Sequence, residues 1–87
     1  MKVVSIINAA PDWFAVFRFD DGSEIYEPVA VWGLDKNGIE VVGFSQAFGG
    51  LCVNSSDNDT FVGYKLMKAG ELRPDRWGFV LAAGNNN

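Results

Sequence analysis

The apolar residues of this chain fall into short runs favouring Val, Ile, Phe, Tyr and Trp, each interrupted by Gly, Asp, Asn or Pro. Runs so short and so rich in β-branched and aromatic residues suit the pleated surface of a strand better than a helix. The expected fold is therefore all-β, or mainly β with at most one short helical turn. With 87 residues the chain has room for one such domain and no second. We place that domain at residues 1–81 and read 82–87 as a polar tail. An apolar fraction of 48% with a net charge of −4 is the opposite of a disordered composition. A domain this small buries roughly 60 to 65% of its unfolded surface, so its aromatic side chains must supply much of a thin core.

The punctuation between runs suggests how the strands connect. Lys2 to Asn8 reads as a first strand, ended by Ala10, Pro11 and Asp12. Trp13 to Phe19 then meets Asp20, Asp21 and Gly22 before a long run from Ser23 to Leu34, the pattern of a β-hairpin. A three-residue loop at 20–22 would set Phe17 against Ile25 and Arg18 against Glu24, an apolar pair beside an opposite-charge pair. A two-residue loop would instead set Phe17 against Tyr26, and the first register is preferred. Pro28 lacks a ladder donor, so it is expected at a bend between two sheet halves. Asp35 to Gly38 reads as a four-residue loop setting Leu34 against Ile39 and Trp32 against Val41.

A fourth strand from Ile39 to Ser45 should turn at Phe48, Gly49 and Gly50 into a short fifth, Leu51 to Val53. Residues 54–60 are polar throughout and read as an exposed loop, after which Phe61 to Met67 resumes a strand pattern. Gly70 and Pro74 leave residues 65–76 open between strand and helical turn. Trp77 to Leu81 reads as a closing strand. Short strands joined by tight turns favour an antiparallel meander closing as an SH3-like or similar small barrel, because closure removes exposed edges.

Composition limits the chemistry. There is no histidine, the usual base near neutral pH and the commonest metal ligand. The single cysteine, Cys52, can form neither an internal disulfide nor a structural zinc site, and it suggests a reducing, cytoplasmic setting. Between Leu51 and Val53 it reads as a small buried hydrophobe. No apolar run approaches the roughly 18 residues of a membrane span. The Asp57, Asn58 and Asp59 stretch lacks the spacing, glycine and glutamate of a calcium loop, and no glycine cluster has a phosphate-binding spacing. Neither cofactor nor metal is implied, and no catalytic residue can be named. Overall acidity disfavours nucleic acid. The four cations Lys65, Lys68, Arg73 and Arg76 give residues 61–87 a local charge of +2, against −6 for residues 1–60. They make either a patch for an acidic partner or an ordinary solvated face.

What remains is a surplus of aromatic rings. Trp13, Phe14, Phe17, Phe19, Tyr26, Trp32, Phe44 and Phe48 are too many for one face of four strands, so either they fill the core or some are exposed. Trp13, Tyr26 and Trp32, with Asp12, Glu24 and Glu27, could form an aromatic, acid-rimmed face for a peptide or protein. Such a non-catalytic binding module is the leading expectation. A self-associating structural or regulatory protein, using an unpaired edge strand or its acidic and basic halves, is the alternative. A small carboxylate-dependent enzyme is the third reading, and it needs a pocket holding at least two carboxylates.

Overall fold

The computed structural model describes residues 2–46, 52–68, 70–75 and 78–82. Among them the chain forms β1 (Ser5–Asn8), β2 (Trp13–Arg18), β3 (Glu24–Leu34), β4 (Val41–Gln46) and β5 (Cys52–Asn54). A 3-10 turn (Ser55–Asp57) leads to β6 (Phe61–Leu66), β7 (Leu72–Asp75) and β8 (Gly78–Leu81). All described pairings are antiparallel, and the strands run in the order β5-β4-β3-β2-β6. The fold is mainly β, curled into a half-barrel.

The long β3 is the spine. Along one edge it pairs β2 from Glu24 to Pro28 and then β1 from Val31 to Leu34. Along the other it pairs β8 at Tyr26 and then β4 from Val29 onward. Both edges change partner just beyond Pro28, whose missing N–H suits the end of a ladder. There Ala30 is a bulge, because Val29 faces Ser45 while Val31 faces the next residue back, Phe44. The extra residue reverses the alternation of β3, so Val29 and Trp32 share the concave face despite an odd spacing.

The hairpin between β2 and β3 has the expected register, with Phe17 opposite Ile25 and Arg18 opposite Glu24. Gly22 makes this possible: its φ of +87° closes the three-residue loop, and its N–H donates to the Phe19 carbonyl. The next loop differs from the expectation. Leu34 faces Val41 and Trp32 faces Gly43, so six residues, 35–40, connect β3 to β4. The Asp35 carboxylate accepts the N–H groups of Ile39 and Glu40, which draws both residues into the loop.

The polar segment after β5 is also corrected in part. Asn54 caps the 3-10 turn by accepting the Ser56 N–H, yet Ser55 is buried rather than exposed. The segment left open between strand and helix completes β6 and then forms the β7–β8 hairpin. Pro74 sits on β7, which pairs only β8 among the described residues, an edge position where proline is tolerated. The expected turn at Phe48 to Gly50, the rings of Phe48 and Trp77, the cation Arg76 and the tail from 83 onward lie outside the described residues.

Two apolar clusters lie on opposite faces of β2. Ala15, Phe17 and Val29 are buried on the concave face, with Ala9, Trp13, Trp32, Phe61 and Tyr64 packed against them. On the convex face Val16, Tyr26 and Met67 are buried beneath Phe14, Leu72 and Phe79. The β7–β8 hairpin and Met67, whose N–H donates to the Asp12 carbonyl, form that outer cover.

Candidate interaction surface

The concave face gathers three of the six candidate residues. Trp13 and Trp32 pack edge to face with ring centroids 5.8 Å apart. Trp32 in turn meets Tyr64 at 5.0 Å, and Tyr64 meets Phe61 at 4.9 Å. Tyr64 lies on β6 and Gly43 on β4, two strands separated by β2 and β3, yet the Tyr64 hydroxyl accepts the Gly43 N–H at 2.6 Å. That bond measures how far the sheet has curled. It also explains why position 43 is glycine: a Cβ there would lie 2.5 Å from the Tyr64 ring and 3.0 Å from Trp32. Tyr64 was not among the candidates. The available signal was Ala15, a small residue in an aromatic run, which makes room for the ring of Tyr64 opposite it.

Glu27 belongs to the same face, being paired with Ala15. Its carboxylate accepts the Ser45 hydroxyl at 2.9 Å, and Ser45 lies 2.7 Å from Ser55. Ser45 has one hydroxyl proton and gives it to Glu27, so Ser55 donates to Ser45. Both serines are buried. Satisfied on both sides, this run of hydrogen bonds fixes the floor of the half-barrel.

The other candidates lie elsewhere. Tyr26 is buried on the convex face, apart from the two indoles, and its hydroxyl donates to Glu24 at 2.8 Å. Glu24 also accepts two bonds from Arg18, the shorter 2.6 Å. The Tyr26 hydroxyl first and Arg18 second hold the Glu24 carboxyl below its ordinary range. Burial, together with the neighbouring Glu24, pushes the Tyr26 phenol up to about 12. Asp12 occupies the turn before β2 with φ +76° and is exposed. Tyr26 and Glu24 are therefore not brought to the two tryptophans, and Asp12, although next to Trp13 in the chain, lines a depression with Phe14, Met67 and Phe79.

Exposed apolar surface appears instead at β1. Ile6 is 63% exposed, Ile7 54% and the adjacent Val4 53%. Ile7 is paired with Trp32 and so continues the concave aromatic face to the sheet edge, while Ile6 lies on the other face beside Gly33. Across β3, Val41 at the start of β4 adds further exposed surface. Among the described residues β1 pairs only β3 and leaves its outer edge open. A depression of about 440 Å³ lined by Lys2, Val4, Asp35, Lys36, Asn37 and Glu40 adjoins it.

Among the described residues no three His, Cys, Asp or Glu side chains are grouped to hold a metal ion. No helix among the described residues is long and apolar enough to cross a membrane. These features define a small half-barrel β domain with an open apolar edge. Compared with known proteins, the chain matches no family model, no curated protein and no solved structure.

Proposed function

We propose that this chain is a small non-catalytic binding module that takes an extended protein or peptide segment along the open edge of β1. The observation that supports it is that β1 exposes an isoleucine on each face, Ile7 on the concave side and Ile6 on the convex, beside an edge with no described partner. A segment adding there would gain main-chain hydrogen bonds from β1. Its alternate side chains would lie against Ile7, Trp32 and Trp13 on the concave side and Ile6 on the convex side. In this reading Trp13 and Trp32 contribute to the docking face, Glu27 fixes the floor beneath them, and Asp12, Glu24 and Tyr26 serve the fold. The long bent β3 shared by two half-sheets supports an SH3-like reading of the architecture. The single cysteine supports a cytoplasmic setting.

The test is selection of binders from a random extended-peptide display library against the folded chain, followed by binding to an Ile6→Pro variant. Proline removes the outward N–H at position 6, so the selected peptides should lose most of their affinity. Peptides that bind Ile6→Pro unchanged, or whose chemical-shift footprint avoids β1, would reject the reading.

A further inference from the structure

Resting on that reading, we infer that the segment β1 accepts is β1 of a second copy of this chain, paired antiparallel about a two-fold axis through Ile6. The backbone sets the geometry. Ala9 opposes Ala30 and donates its N–H to the Ala30 carbonyl. In an antiparallel ladder this orientation alternates, so Ser5 and Ile7 also turn their backbone groups toward β3, and Ile6 and Asn8 turn theirs to the open edge. Two such edges match in a register that sets Ile6 against its own copy, where the pair exchanges both N–H···O=C bonds. Ser5 then lies opposite Ile7 of the second copy, and Val4 opposite Asn8, where only one bond can form because the Val4 N–H already donates to the Leu34 carbonyl at 2.9 Å. The register runs from Val4 to Asn8 with its hydrogen bonding centred on Ile6.

Charge favours this occupant. The chain carries −4 overall, but residues 3–10 carry no charge at all. An edge strand normally defends itself with a lysine, a proline or a bulge, and β1 has none of these. Beside it Lys2 and Lys36 are balanced by Asp35 and Glu40. Two copies approaching through β1 therefore bring neutral surface together, whereas the rest of an acidic chain repels its own copy. Pairing makes each β1 an interior strand of one continuous sheet, which covers the isoleucine on each of its faces. Five residues from each copy bury well under the roughly 1,200 Å² of a stable interface, so the dimer is reversible.

The experiment is sedimentation velocity from micromolar to millimolar concentration on the natural chain and on Ile6→Lys. Circular dichroism confirms that the variant is folded, as expected for a side chain 63% exposed. The natural chain should move from 9.5 kDa toward twice that mass as concentration rises. Ile6→Lys sets like charges opposite each other on the axis and should weaken the dimer about tenfold or more. An isotope-mixed sample should show contacts between Ser5 Hα and Ile7 Hα of the second copy. A monomer at every concentration overturns the self-pairing; if selected peptides still bind through Ile6, the edge reading survives it. A dimer unaffected by Ile6→Lys uses another surface and overturns the self-pairing equally.

Discussion

β1 and β2 are written in the same amino-acid language and end in opposite environments. Each places apolar side chains on both faces, β2 along most of its length and β1 through Ile6 and Ile7. β2 is flanked by β3 and β6, with the concave cluster beneath it and Met67, Leu72 and Phe79 over its convex side, so Ala15, Val16 and Phe17 are all buried. β1 has one described neighbour and every one of its residues is exposed. An apolar pattern states how much surface favours burial, and the topology decides whether the chain itself supplies the cover. Where it does not, a binding surface results.

The largest effect that would sharpen this contrast is on stability. Phe17→Ala should cost about 3–5 kcal/mol by opening a cavity against Phe61 and Val29, enough to unfold a domain this small. Chemical denaturation checks it, and a loss under about 1 kcal/mol would mean that the concave cluster is not the core it is taken to be.

Gly43→Ala should cost about 1–3 kcal/mol, because the new methyl group displaces the Tyr64 ring that bridges β6 to β4. Tryptophan emission should shift as Trp32 loses its neighbour, and Tyr64→Leu in the same background should recover part of the stability. A neutral Gly43→Ala would break the claim that this contact holds the curl.

Tyr26→Phe should cost about 1 kcal/mol near neutral pH through its lost bond to Glu24. It should also change the pH dependence. The phenol is raised in the folded state to about 12 from an ordinary value of 10.0, so its contribution is complete below pH 10 and is lost as pH climbs toward 12. Glu24 is shifted the other way, so its contribution is present above the ordinary carboxyl range and is lost as pH falls through its lowered folded value. Denaturation midpoints against pH should show the alkaline decline in the natural chain and a flatter limb in Tyr26→Phe.

Smallest of all, Ile6→Ala should change monomer stability by no more than about 0.5 kcal/mol, since its side chain is already in water. A loss as large as that of Phe17→Ala would erase the contrast between the two strands.

The two registers show what was legible in the sequence and what was not. Asp20, Asp21 and Gly22, flanked by Arg18 and Glu24, determined the first hairpin locally. That register sets Tyr26 opposite Val16, on the other face from Trp13, and so separates Tyr26 from the tryptophans. Trp32 was harder: strict alternation would put it with Tyr26, and only the bulge at Ala30 returns it to the concave face. A bulge arises from how two strands meet away from their connecting turn, and Ala30 carries no local mark of it. The 35–40 loop likewise depends on the Asp35 side chain capturing two N–H groups, which residue type permits without requiring. The exposure of β1 could not be read from residues 2–8, because it depends on which strand fails to cover them.

Residue-resolved amide exchange along β1, in dilute and in concentrated protein, tests the central claim most directly. The account predicts that Ile7 is protected by β3 at both concentrations, while Ile6 and Asn8 exchange freely when dilute and gain protection when concentrated. Protection of Ile6 and Asn8 in the dilute chain would contradict it, because the edge would already be covered within one molecule.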